Sequence, residues 1–146
     1  MSAGTAGKLY TPAMLSLATE LANYPLIGEW PHKAAARSRT CGSTVELGLA
    51  LVNDRTVDGI GMKISACAIG QASAALLARS IRGKSPQDIR AIRDEIEIWL
   101  GGEGDLPAWP DIELIAAARE SKGRHGALLL SWNAAVDALS MGQSSS

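Results

Sequence analysis

Cysteine and histidine are scarce in this chain, whose 146 residues include 2 Cys and 2 His. Two thiols are too few for a disulfide scaffold, so we expect a reducing, cytoplasmic setting. No apolar run approaches the ~20 residues that cross a bilayer, which argues against an integral membrane protein. The amino terminus has no basic segment followed by an apolar core, so we expect no secretory signal.

Net charge is also nearly absent. The chain has 14 Lys and Arg residues against 15 Asp and Glu, a formal net charge of −1. Because affinity for phosphates comes largely from positive charge, nucleic acid is not an expected partner. Hydrophobic residues at 47% and charged residues at 20% are typical of a globular protein. The length predicts a single domain over 11–140, between a flexible segment (1–10) and a polar tail (141–146).

The first half of the chain predicts one helix and a small sheet. Thr11 and Pro12 mark a helix start, because Thr caps the helix and Pro suits its first turn. Apolar residues then alternate with small or polar ones over 45–51 and 60–64, which is typical of an antiparallel hairpin. The stretch 33–38 could add a neighbouring strand.

The second half predicts helices. Apolar residues recur with a helical period over 66–81, 85–99, 111–121 and 124–139. Ser85 followed by Pro86 and Asp88 marks the second of these starts. The predicted fold class is therefore α+β: an N-terminal helix, a small antiparallel β-sheet of two or three strands, and about four helices packed on it.

The two cysteines are the leading candidates for chemistry. Cys41 lies just before the hairpin and Cys67 just after it. Because a hairpin returns the chain to the end where it began, we expect both sulfurs within reach of one ion. A cysteine in the first turn of a helix has its thiolate stabilised by unpaired N–H groups. The alternative is that either cysteine is a small buried hydrophobe.

The two histidines differ in context. His125 lies at the start of the last predicted helix and is a third ligand, a proton donor or a surface residue. His32, beside Pro31, is predicted to be a loop residue without a role. The sequence has neither a carboxylate dyad nor a phosphate-binding loop.

The ordered set of segments resembles the U-type iron–sulfur cluster scaffold family, which includes IscU, SufU and the NifU amino-terminal domain. In that family, as here, a Cys-Gly pair (Cys41-Gly42) precedes a hairpin and a second cysteine (Cys67) opens an Ala/Ser-rich helix. The stretch 124–132 is similar to the family's closing segment, Arg-x-x-Cys-Ala-x-Leu-x-Trp. The resemblance covers residues from about 12 to 139.

This resemblance implies a SufE/NifU-like fold and a scaffold or metal-binding protein rather than a turnover enzyme. It implies a transient iron–sulfur cluster, with 2Fe–2S as the favoured type, or zinc in the isolated protein. The implied partners are a cysteine desulfurase, which supplies sulfur, and apo acceptor proteins, which receive the cluster.

Two positions depart from the family pattern. Ser43 stands where the first motif has Asp, and the third cysteine falls on Gly126. The resemblance therefore implies Cys41, Cys67 and His125 as cluster or metal ligands, with Ser43 as a weak further metal ligand. Thiolates suit zinc, Cu(I) and iron–sulfur clusters, and imidazole suits zinc and iron. Three protein ligands leave a fourth position open.

Three functional hypotheses follow. The first is a scaffold that binds iron and sulfide and passes a cluster to acceptors. The second is a zinc-binding or persulfide-relay module that no longer assembles clusters. The third is a thiol enzyme with a cysteine nucleophile and His125 as its base, for which the sequence indicates no orienting carboxylate.

Overall fold

A computed structural model describes the backbone of residues 10–39 and 42–144, and side chains as far as residue 140. There are four described α-helices: α1 (Pro12–Thr19), α2 (Ala68–Ser80), α3 (Pro86–Leu100) and α4 (His125–Ser144). The described strands are β1 (His32–Arg37), β2 (Thr44–Val52) and β3 (Thr56–Ser65). Short 3-10 helices span Glu20–Asn23, Ile112–Glu120 and Lys122–Arg124. The α+β class is confirmed, including the third strand. Of the predicted flexible segment, residues 1–9 lie outside the described ranges.

The three strands form one antiparallel sheet in the order β1-β2-β3. Thr44 lies opposite Arg37 on one side and Ser65 on the other, so these three residues mark one end of the sheet. The inner face is apolar, with Leu47 and Leu49 fully buried. Helix α4 packs on β1 and β2, α2 and α3 pack on α4, and α1 packs on α2.

Two helix starts follow from side-chain capping. The Thr11 hydroxyl accepts a hydrogen bond from the Met14 N–H at 3.1 Å, ahead of Pro12 in the first turn of α1. At α3, Ser85 and Asp88 form the reciprocal pair of hydrogen bonds known as a capping box. Both predicted starts are confirmed.

The outer face of the sheet is only half covered. Residues 24–30, here called the covering segment, lie across it and place the Trp30 indole on the glycines of β2 and β3. A Cβ at Gly61 would lie 2.6 Å from the Pro25 carbonyl oxygen, so this close approach requires glycine. Toward the end of the sheet marked by Arg37 and Ser65, this face carries exposed side chains.

The predicted helix over 111–121 is a 3-10 helix, Ile112–Glu120. Its buried residues are Ile112, Ile115 and Ala118, at a spacing of three. A 3-10 helix has 3.0 residues per turn, so it aligns these side chains in one row facing the core, which an α-helix would rotate apart.

Two further predictions need correction. Helix α4 continues to Ser144, beyond the predicted end near residue 139 and into the predicted polar tail. His32 is the first residue of β1, opposite Leu49, and not a loop residue, because the strand begins immediately after Pro31. Among the described residues, helices are too short or too polar to span a bilayer.

Candidate ligand site at the end of the sheet

A short loop joins β1 to β2 at the end of the sheet marked by Arg37, Thr44 and Ser65. The Ser38 N–H donates to the Ser43 carbonyl at 2.8 Å, and the Gly42 N–H donates to the Ser38 carbonyl at 3.0 Å. Gly42 has a φ of +72°, a backbone conformation that favours glycine. Ser43 is buried at 6% exposure. Cys41 lies outside the described residues, between Arg39 and Gly42.

Cys67 occupies the N-cap position of α2, two residues after β3 ends. Its side chain is exposed and makes no capping hydrogen bond, so the alternative of a buried hydrophobe is wrong for this cysteine. The Cys67 carbonyl accepts from the Gln71 N–H at 3.0 Å, and Gln71 Nε2 donates to the Ala66 carbonyl at 2.8 Å. The backbone on both sides of Cys67 is therefore fixed while its sulfur faces solvent.

Helices α2 and α4 begin side by side. A Cβ at Gly70 would lie 3.2 Å from the Ala127 carbonyl oxygen and 3.3 Å from the Ala127 Cβ, so the first turns of the helices are in close contact. Cys67 caps the first helix and His125 is the first residue of the second. The packing therefore brings two of the predicted ligand residues to the same end of the molecule.

A buried polar pair fastens this arrangement. The Ser73 hydroxyl donates to the Leu128 carbonyl at 2.7 Å and accepts from Trp132 Nε1 at 2.9 Å. Ser73 and Trp132 are both fully buried. These bonds join α2 to α4 one turn beyond the contact between Gly70 and Ala127.

His125 is half-buried and held by one ring nitrogen. Its Nε2 lies 2.8 Å from the Arg119 carbonyl oxygen. Because a carbonyl only accepts, Nε2 donates, and in the neutral ring Nδ1 carries the lone pair that can bind a metal or a proton. Arg119 is itself fixed, since its Nε donates to the Trp99 carbonyl at 2.6 Å and its guanidinium carbon lies over the Trp99 ring, 5.5 Å from the ring centroid. A hydrogen bond of this kind orients ligand histidines in metal sites.

Arg124 is a charged neighbour of His125 for which the sequence predicted no role. Its guanidinium carbon lies 5.6 Å from the centroid of the Tyr10 ring. Its Nε is buried and has no hydrogen-bond partner within the described ranges. The roles of Gln71 and Arg119 were also missed, because both act through backbone carbonyls that leave no mark in the sequence.

The described residues alone do not complete a metal site. Residues 10–39 and 42–140 contain no group of three His, Cys, Asp or Glu side chains placed to hold one ion. A site built on Cys67 and His125 therefore needs Cys41, which lies in the undescribed gap, or a ligand from outside the chain.

Neither a protein-family model nor a curated protein sequence matches the chain. Its fold matches the crystal structure of a nitrogen-fixing NifU-like protein (N-terminal) from Brucella abortus with a TM-score of 0.89. The two are 27% identical, and the match covers 97% of this chain and 99% of that one. The chain has the NifU-like fold.

Two other solved structures share the NifU-like fold. A candidate iron–sulfur cluster assembly scaffold for the SUF system, from the thermophile Fervidobacterium islandicum AW-1, matches with a TM-score of 0.81 at 21% identity, over 91% of this chain and 98% of that one. A hypothetical protein solved at 2.3 Å matches at 0.66 and 19% identity, over 90% and 99%.

The closing motif named for the resemblance can also be matched to the chain in a register different from the predicted one. When Arg124 and Trp132 are matched to the first and last residues of Arg-x-x-Cys-Ala-x-Leu-x-Trp, the cysteine position is Ala127. This is one residue after the predicted Gly126. Ala127 is 1% exposed and packs against Gly70, beside the start of α2. The structure therefore has a methyl group where this register places a thiol.

Proposed function

We propose that this NifU-like protein is a scaffold for iron–sulfur cluster assembly. It binds iron and sulfide through Cys41, Cys67 and His125 and passes the cluster to acceptor proteins, without turnover catalysis of its own. The observation that carries the proposal is an exposed Cys67 beside the start of the helix that bears His125, in a chain with the NifU-like fold.

Chain connectivity supports the inclusion of Cys41. The residue is bonded to Gly42, and the strand that follows begins at Thr44, opposite Ser65. Because Ser65 precedes Cys67 by two residues, the pairing of β2 with β3 ties the chain around both cysteines to one end of the sheet. Two thiolates and one imidazole are a donor set that suits iron, zinc and iron–sulfur clusters.

The set of protein ligands also affects how easily the cluster is released to an acceptor. Three protein ligands leave one coordination position for a ligand that can exchange, and an exchangeable position eases transfer of the cluster to an acceptor. The exposed sulfur of Cys67 is open to a cysteine desulfurase that delivers sulfur as a persulfide. Ser43 is a weaker candidate, since an alcohol oxygen binds iron poorly unless it is deprotonated.

The test is anaerobic reconstitution with ferrous iron and sulfide, followed by absorption and Mössbauer spectra and iron counting. The wild type is compared with Cys41→Ala, Cys67→Ala and His125→Ala. His32→Ala is the matched control, because it removes the other histidine, which lies in the row paired with Leu49. We expect a 2Fe–2S signature in the wild type and the control, and its loss in the three ligand variants.

Two outcomes would contradict the scaffold proposal. The first is no cluster under conditions that load a three-cysteine scaffold. The second is one tightly bound zinc ion per chain that iron and sulfide do not replace, which would favour the zinc-binding or persulfide-relay alternative. Melting temperatures of all variants separate loss of ligands from loss of the fold.

A further inference from the structure

The open half of the outer sheet face forms a groove of about 550 Å³. Its lining includes Arg37 from β1, Glu46 from β2, and Lys63 and Ser65 from β3. This volume lies within the ≈ 300–1,000 Å³ range of small-molecule sites. Ser65 is two residues before Cys67, so the chain runs from one end of the groove directly to the N-cap of α2.

The groove carries a specific arrangement of charge. Glu46 lies opposite Lys63, and Arg37 is one row nearer the ligand site on the other flanking strand. All three side chains are exposed, and within the described ranges none of them forms an ion pair within 4.0 Å. Two cations thus flank one carboxylate, and all three are available to a ligand.

Sheet geometry fixes the distance that a ligand would span. Arg37 and Lys63 are two strands and two residues apart, which separates their Cα atoms by about 12 Å. Three residues of extended chain span about 10 Å. A molecule of tripeptide size therefore reaches from one cation to the other across Glu46.

We propose that this groove binds a low-molecular-mass peptide thiol that carries two carboxylates and one ammonium group. The carboxylates pair with Arg37 and Lys63, and the ammonium group pairs with Glu46. The thiol lies toward Ser65 and Cys67. On the scaffold function proposed above, on which this role rests, it fills the coordination position that the protein leaves open.

The charge pattern favours this ligand over a phosphate or an acidic protein segment. Glu46 would repel either of those anions, whereas a molecule with both signs of charge uses all three groups. Binding requires no bond to form or break within the apo protein. Coordination of the thiolate to a cluster releases one proton to solvent.

The first experiment measures binding to the reduced, metal-free protein by calorimetry, with glutathione and S-methylglutathione as the probes. Both carry the same charged groups, so both should bind one per chain. Arg37→Glu and Lys63→Glu should each weaken binding by about tenfold or more, because each replaces an attraction to a ligand carboxylate with a repulsion. Lys33→Glu is the matched control, because Lys33 is exposed on the same face of β1 and lies outside the groove lining.

Two results of this experiment would overturn the proposal that the groove binds this ligand. One is no binding of either probe at concentrations up to about 10 mM, well above a 1 mM dissociation constant. The other is equal weakening by Lys33→Glu, which would indicate a general effect of charge. Melting temperatures check that each variant is folded.

The second experiment separates this inference from the scaffold proposal. In protein loaded with a cluster, glutathione should slow the loss of iron to a chelator, whereas S-methylglutathione, which has no free thiol, should not. Equal effects of the two probes would overturn the coordinating role. If the protein binds glutathione but never forms a cluster, the groove proposal stands and the scaffold proposal is refuted. If it forms a cluster but binds neither probe, the scaffold proposal stands and the groove proposal is refuted.

Discussion

The hydrogen bonds of Ser73 give the most direct test of how α2 and α4 are held together. Ser73→Ala removes the acceptor for Trp132 Nε1 and the donor to the Leu128 carbonyl, at bond lengths of 2.9 and 2.7 Å. Since Trp132 is fully buried, water cannot replace the lost acceptor without entering the core. A buried donor left unpaired lowers the free energy of unfolding by about 1–3 kcal/mol.

That range converts to a measurable shift in melting temperature. Unfolding entropy near 60 °C is about 2.1 cal/mol/K per residue, or about 0.3 kcal/mol/K for a chain of this length. Ser73→Ala should therefore lower the midpoint by about 3–10 °C in differential scanning calorimetry. Urea unfolding should show a lower midpoint with an unchanged slope, because the surface exposed on unfolding is the same.

Ser131 supplies the matched control. It is fully buried, as Ser73 is, but its Oγ has no hydrogen-bond partner within the described ranges. Ser131→Ala deletes an unsatisfied hydroxyl and leaves no other group without a hydrogen-bond partner. We therefore expect the free energy of unfolding to change by no more than about 0.5 kcal/mol or to increase. Equal losses in the two variants would refute the reasoning, because the loss would then come from the missing oxygen volume rather than from the orphaned indole N–H.

Three further predictions concern separate parts of the chain. Hydrogen bonds from the backbone and side chain of Ser85 lower the pKa of Asp88 below its usual 3.8. In urea unfolding, the wild type should therefore have a higher free energy of unfolding than Asp88→Asn at pH 7, and this difference should vanish as the pH falls through that lowered pKa. A difference that persists at lower pH would contradict the assignment. Gly61→Ala places a methyl group against a carbonyl of the covering segment and should increase limited proteolysis there; unchanged cleavage would show that the segment adapts. Ala127→Cys should slow the loss of a reconstituted cluster to a chelator, whereas Gly126→Cys should not, and the opposite order would restore Gly126 as the third cysteine position.

The features that the sequence predicted correctly depend on residues close together in the chain. A Thr or Ser cap ahead of proline acts within one turn, so the starts at Thr11 and Ser85 could be located from spacing alone. Alternation of apolar residues with small or polar ones identified the hairpin, because the large apolar side chains of β2 and β3 face the core while the other face carries glycines and exposed residues.

The features that were missed depend on contacts between distant segments. The spacing of Ile112, Ile115 and Ala118 fits a 3-10 helix, but a spacing of three is also common on one face of an α-helix, so the sequence predicted a helix without its type. The covering segment could not be placed, since nothing local to Trp30 indicates that it packs on glycines of two other strands. The carbonyl that orients His125 was invisible for the same reason.

The candidate site combines both kinds of information. That the start of α2 carries Cys67 follows from the local pattern, but its approach to the start of α4 depends on Gly70 meeting Ala127, which is 57 positions further along the chain. A thiol at residue 127 would add its sulfur at this contact, whereas the alanine present there packs the helices and contributes no ligand. Under the proposed function, the chain therefore keeps the helix geometry of a scaffold while it leaves one coordination position to an exchangeable ligand. The affinity of the protein for a cluster should then depend on the concentration of that ligand, a dependence that a chain supplying every ligand itself would not show.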